Sequence, residues 1–85
     1  MHYYKVEAEH VRKIDIGIVA EQMQKLQGVE VAASGRDLVF DSNAIWVLFS
    51  ERRLGTQLQD IVWKFNDGSY CEVIELDFEE FENYC

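Results

Sequence analysis

One uninterrupted apolar run, residues 44–49 (AIWVLF), constrains the fold of this 85-residue chain more than any other feature. A strand with one face in water alternates apolar and polar residues, and this run does not alternate. Its β-branched and aromatic residues favour a strand. We therefore predict a central strand buried on both faces, with a buried helix continuing through residues 51–54 as the alternative.

The length of the chain allows one domain with a modest core. Aromatic residues make up 13% of the sequence. Each buried aromatic side chain removes about 150–250 Å² from water, which argues against intrinsic disorder. We expect residues 1–85 to form a single folded domain.

One main amphipathic helix is predicted at about residues 15–27. Asp15 is the expected N-cap, and Gly28 is expected just past the helix end. The apolar stripe recurs at helical spacing and consists of Ile16, Val19, Ala20, Met23 and Leu26. A second, rotated stripe would extend the helix towards the N-terminus, and it consists of Val11, Ile14 and Ile18.

The remaining elements are predicted to be short strands separated by turns. Period-two patterns predict strands at residues 2–8, 29–33, 38–40, 60–65 and 70–76. Turn-forming residues occur at 34–37, 41–43 and 66–69, the last containing the Asp-Gly pair of tight hairpins. The expected fold class is α+β, with a small antiparallel or mixed sheet of about five to six strands and the main helix packed on one face.

The C-terminal segment combines acidic and aromatic side chains, and it contains no Lys or Arg from Glu72 onwards. Residues 77–85 are predicted to form a short acidic helix or an extended edge. A helix would place aromatic residues along one edge and acids along another. The predicted partner-binding residues are Glu72, Glu75, Asp77, Phe78, Glu79, Glu80, Phe81, Glu82 and Tyr84. The alternative is that the aromatic rings pack on the sheet while the acids are simply solvated.

The charge balance restricts the class of partner. Sixteen acidic against eight basic residues give a net charge of −8. Direct binding to nucleic acid or to an anionic membrane needs a basic surface, so neither is expected. A basic protein is the expected partner, including a nucleic-acid-binding protein or enzyme. Carboxylates at alternate strand positions lie about 6.6–6.8 Å apart and could imitate a nucleic-acid backbone.

No pattern in the sequence indicates catalysis, a metal site or a cofactor. The two histidines and two cysteines lack the spacing of metal sites, and no nucleophile motif or phosphate-binding loop occurs. Cys71 and Cys85 are predicted to be free thiols in a reducing compartment. With no secretory signal and no membrane span in the sequence, a cytoplasmic location is expected.

The sequence therefore predicts a non-enzymatic acidic binding protein that inhibits or modulates a basic macromolecular partner. Small phage-encoded inhibitors and toxin-neutralising immunity proteins share its size, charge and aromatic content, and a nucleic-acid mimic is a further form of the same idea. The alternative is a structural module that forms a homodimer, through a strand edge or the strand of Trp46, or a subunit of a larger assembly.

Overall fold

The computed structural model describes residues 1–36, 43–66 and 69–84. Within these ranges the chain forms four strands and three helices. Their order is β1 (His2–Ala8), α1 (Lys13–Gln24), β2 (Val29–Arg36), β3 (Ala44–Ser50), α2 (Gln57–Asn66), β4 (Cys71–Leu76) and α3 (Phe78–Glu82). The α+β class is confirmed, whereas the strands number four rather than five to six, and the predicted helix is joined by a second long one.

The four strands form one antiparallel sheet in the order β2-β3-β1-β4. Helix α1 connects β1 to β2 with β3 lying between them, and α2 connects β3 to β4 with β1 between them. This β-α-β-β-α-β order is that of the split βαβ, or ferredoxin-like, arrangement. In the described part of the chain, no helix is long and apolar enough to cross a membrane.

Strand β3 lies inside the sheet and is buried on both sides. Trp46 and Leu48 point towards α1 and α2 and are fully buried. Val47 points to the other side and is only 2% exposed. The prediction of a central, doubly buried strand is confirmed, and the helix alternative for residues 44–54 is wrong.

Two buried hydrogen bonds link the sheet to helix α1 and to the segment that follows β3. The indole Nε1 of Trp46 donates to the carbonyl of Ile16 in α1 at 3.0 Å. The backbone N–H of Leu54 donates to the Tyr4 hydroxyl at 3.1 Å. Since β3 also has a strand neighbour on each side, the strand of Trp46 has no free edge for a second molecule.

Both outer strands of the sheet receive a side-chain hydrogen bond at their edges. The Val31 N–H in β2 donates to Oε1 of Gln24 at 3.2 Å. At the other edge, Nε2 of Gln59 donates to the Cys71 carbonyl of β4 at 3.4 Å. These bonds occupy backbone groups that an added strand would need.

Helix α1 begins and ends earlier than predicted. Arg12 occupies the N-cap, and the helix ends at Gln24 with Gly28 further along at φ 78°. Asp15 is not the N-cap, because its buried carboxylate accepts bonds from Nε and Nη2 of Arg12 at 2.8 and 3.3 Å. The predicted apolar stripe is confirmed, since Ile16, Val19 and Met23 are buried and Ala20 and Leu26 pack against the core.

The turn predicted at residues 34–37 is wrong over its described part. Gly35 pairs with Ile45 and Arg36 with Ala44, so β2 continues through both residues after an irregularity between Val31 and Ala33. The strand predicted at 38–40 and the first two residues of the turn at 41–43 lie outside the described residues. Asn43 comes directly before β3.

The strand predicted at residues 60–65 is a helix. The alternation of Ile61, Trp63 and Phe65 is typical of a strand, whereas Leu58, Ile61, Val62 and Phe65 recur at helical spacing. In α2 the residues Leu58, Ile61 and Val62 are buried, while Trp63 is 40% exposed. The buried residues follow the helical stripe, so packing against the core favours a helix over a strand in this segment.

The segment predicted as a hairpin turn, residues 66–69, links a helix to a strand. Asn66 ends α2, and Asp67 and Gly68 lie outside the described residues. The Asn66 side chain donates to the carbonyls of Glu9 and Tyr70 at 3.4 and 3.5 Å. Strand β4 then pairs with β1, not with the preceding segment.

Replacing Met23 by Ala is expected to lower the free energy of unfolding by about 2–5 kcal/mol, because a fully buried side chain leaves a cavity. Replacing Glu21, exposed on the same helix, by Ala should change it by less than about 0.5 kcal/mol. Urea denaturation of both variants gives the two values. Equal losses would show that α1 does not pack as described.

Candidate partner-binding surface

Two of the C-terminal acids stabilise the first turn of helix α3. Asp77 precedes α3 in an extended conformation, and its side chain accepts from the backbone N–H of Glu80 at 2.8 Å. In return, Oε1 of Glu80 accepts from the N–H of Asp77 at 3.2 Å. This reciprocal capping box supports a helix of five residues that would be marginal alone.

Phe81 fixes α3 to the sheet. Its ring centroid lies 4.7 Å from that of Tyr3 and 5.8 Å from that of Phe49, the second pair edge to face. Tyr3 alternates with the core residue Tyr4, so α3 packs on the sheet face opposite α1 and α2. Phe81 is only 9% exposed and is therefore part of the folded core.

Phe78, one helical turn before Phe81, remains at the surface. Its ring is 53% exposed, although its centroid lies 5.5 Å from that of Tyr3. Together with Met1, which is 66% exposed, it borders a mainly apolar cavity of about 240 Å³. We call this cavity the aromatic cleft, and it is lined by Met1, Tyr3, Phe49, Phe78 and Phe81.

Tyr84 lies on the same side of the sheet and is 43% exposed. The Lys5 Nζ is 5.8 Å from the centre of its ring, a cation–π distance, and 3.7 Å from Oε2 of Glu7. With Ile45 and Val47, Tyr84 also borders a wider cavity of about 440 Å³. Tyr84 therefore extends the aromatic surface beyond the cleft and along the open face of the sheet.

The acids of α3 form an exposed rim beside the aromatic cleft. We call it the acidic rim, and it consists of Asp77, Glu79, Glu80 and Glu82. Phe78 belongs to the cleft and stands between Asp77 and Glu79 in the chain. The exposed ring and the exposed carboxylates are therefore carried by the same short segment of the chain.

Glu72 and Glu75 lie apart from the acidic rim, in β4. Being three residues apart in a strand, they point to opposite sides of the sheet. Glu75 lies 3.3 Å from Nδ1 of His2. Glu72 pairs in register with Glu7 and accepts a hydrogen bond from the Tyr70 hydroxyl. A regular row of carboxylates does not run along this strand.

The hydrogen bond between Tyr70 and Glu72 has an electrostatic consequence. The carboxylate stabilises the protonated phenol, and this raises the pKa of Tyr70 to about 12. The phenol therefore remains a neutral donor throughout the physiological range. Glu72 is thus committed to a neighbour in its own fold.

Basic side chains gather near the end of β1 that is remote from α3. His10, Arg12 and Lys64 line a cavity of about 480 Å³ there. Hydrogen bonding to Asp15 raises the pKa of Arg12, so its guanidinium is cationic and already paired. The sequence did not reveal this grouping, because residues 10–15 and 64–66 meet only through the topology. Asp15 also lines this cavity and Glu9 lies 3.8 Å from His10, so the basic groups there have acidic neighbours.

Few groups in the described part of the chain suit metal binding or nucleophilic chemistry. No cluster of three or more His, Cys, Asp or Glu side chains there could hold a metal ion. Cys71 is a free, half-buried thiol, and burial raises its pKa to about 11. A thiol with this pKa is a poor nucleophile near neutral pH.

No protein-family model, curated protein or solved structure matches this chain. The geometry and charge of the surface are therefore the basis for a functional proposal. Of the predicted residues, six lie together on or beside α3: Asp77, Phe78, Glu79, Glu80, Phe81 and Glu82.

Cys71 should resist alkylation in the folded protein. A thiol with a pKa of about 11 instead of 9.0 has roughly a hundredfold less thiolate at pH 8, and the thiolate is the reacting form. Iodoacetamide labelling of a Cys85→Ser variant, followed by mass spectrometry with and without urea, measures the ratio. Equal rates in both conditions would contradict the burial of this thiol.

Proposed function

We propose that this protein is a non-enzymatic acidic binding protein that inhibits or modulates a basic macromolecular partner. We further propose that the aromatic cleft and the acidic rim together form its docking surface. One observation carries the proposal: Phe78 stays half in water at the mouth of an apolar cleft, on a short segment that also carries exposed carboxylates.

The exposed aromatic ring supports the apolar part of this surface. Burying apolar area contributes roughly 25 cal/mol per Å², so leaving a large ring in water forgoes stability unless a partner covers it. Large side chains beside a pocket are typical binding hot spots. The cleft next to Phe78 is small and mainly apolar, which suits one aliphatic or aromatic side chain of the partner.

The acidic rim supports the charged part of the proposal. Carboxylates around an apolar centre attract Lys and Arg side chains of a partner and repel acidic proteins. With a net charge of −8, the chain would also associate with a basic target faster at low salt than at high salt. The expected partner surface is therefore an apolar side chain surrounded by basic ones.

The geometry favours an inhibitor or immunity-like protein over a mimic of a nucleic-acid backbone. A mimic would need carboxylates repeated along one direction, and Glu72 and Glu75 point to opposite faces. The acids of α3 are instead carried by one helix of five residues. We place the protein in the cytoplasm, where a free thiol such as Cys71 stays reduced.

The test uses tagged protein to capture its partner from the lysate of the native host at low salt. Phe78→Ala should weaken the captured complex by roughly 2 kcal/mol, about thirtyfold in Kd, because it removes the central anchor. Glu79→Gln with Glu82→Gln should slow association several-fold. Glu80 is left unchanged because it completes the capping box.

The matched control is Glu9→Gln with Asp60→Asn, which also removes two carboxylates but on other parts of the fold. This control should bind like the parent protein. If it loses the partner as much as the α3 variant does, net charge alone causes binding and the docking surface is misplaced. Addition of the protein to the captured target should then lower or alter the activity of that target.

A further inference from the structure

Helix α1 has a second apolar surface that its own fold does not use. Its inner face packs on the sheet through Val19 and Met23. On its outer face Ile14 is 74% exposed and Ile18 is 41% exposed. These two residues are one helical turn apart and therefore adjacent on the surface.

Gly17, also exposed, lies beside the two isoleucines on this outer face, closer to Ile14 than to Ile18 round the helix. A glycine inside a helix lowers its stability compared with alanine, so its presence normally has a packing reason. The described chain supplies no such reason, because nothing other than its chain neighbours and the nearby backbone of its own helix lies within 4 Å of the place a Cβ would occupy. A glycine on an exposed helix face lets the backbone of another helix approach closely.

The charges on this face are self-complementary. Lys13 and Glu21 are both exposed and lie four residues before and four residues after Gly17. In an antiparallel pair of α1 helices with the two-fold axis at Gly17, Lys13 of each copy faces Glu21 of the other. With Lys25 also exposed here, this face has more basic than acidic side chains in a chain of net charge −8.

From these observations we propose that the protein forms a symmetric dimer with a second copy of itself through the outer faces of α1. The helices pack antiparallel across Gly17, with Lys13 paired with Glu21 of the second copy, Ile14 beside the contact line and Ile18 at its edge. Two-fold pairing through one identical surface is the usual form of a homodimer. The contact is small, so the dimer dissociates on dilution.

The dimer leaves the aromatic cleft free, because α1 and α3 pack on opposite faces of the sheet. Each dimer would then present two clefts to basic partners. Two linked sites strengthen binding to a target that is itself repeated. The dimer does not depend on the proposed function, since it involves none of the cleft or rim residues.

Sedimentation equilibrium of the full chain, up to about 1 mM protein, tests the dimer directly. The parent protein should pass from monomer to dimer as concentration rises, and Ile14→Glu with Ile18→Glu should raise the dissociation constant by roughly tenfold or more. Both positions are exposed, so circular dichroism of the variant should remain that of the folded monomer.

A charge exchange identifies the pairing. Lys13→Glu alone should weaken the dimer by roughly two- to tenfold, because it places two like charges together twice per dimer. Adding Glu21→Lys to the same chain should restore the original affinity. Gly17→Leu should prevent close approach and weaken the dimer without lowering the melting temperature of the dilute monomer.

A monomeric mass at every concentration would overturn the proposal. So would a dimer that the two glutamates at positions 14 and 18 leave unchanged, because the contact would then lie elsewhere. If Glu21→Lys fails to restore the Lys13→Glu variant, the antiparallel pairing across Gly17 is wrong.

Discussion

The burial of β3 on both faces is the constraint on which the rest of the structure depends. Trp46 and Leu48 need cover on one side, and α1 and α2 supply it. Val47 and Phe49 need cover on the other side, where a two-layer domain would leave the sheet in water. Phe81 of α3 packs against Phe49 on this second side. The short acidic helix is therefore positioned by the burial of the central strand.

This arrangement connects packing to the proposed docking surface. Phe81 turns inward to cover the sheet, and the helical period then leaves Phe78 at the edge of that cover. The capping box uses Asp77 and Glu80 to start α3, so two acids of the rim also stabilise the helix that presents them. The same short segment therefore starts the helix through its capping box, packs it on the sheet through Phe81 and carries the exposed carboxylates.

The sequence predicted those elements whose favoured apolar pattern is also the one buried in the fold. Strand β1, the doubly buried β3 and the apolar stripe of α1 were of this kind. Helix α2 was missed because Ile61, Trp63 and Phe65 alternate while Leu58 and Val62 complete a helical stripe, and only the core decides between them. For the surface, the aromatic spacing was visible, but Phe81 is buried by Tyr3 and Phe49, which are distant in sequence.

The most direct measurement is photo-crosslinking from a benzoylphenylalanine placed at position 78 in living cells of the native host. We expect one main adduct, with a basic protein, and no such adduct when the same group replaces Trp63, an exposed aromatic residue of α2. An adduct of equal yield from both positions, or none from position 78, would contradict the claim that the aromatic cleft is where a partner docks.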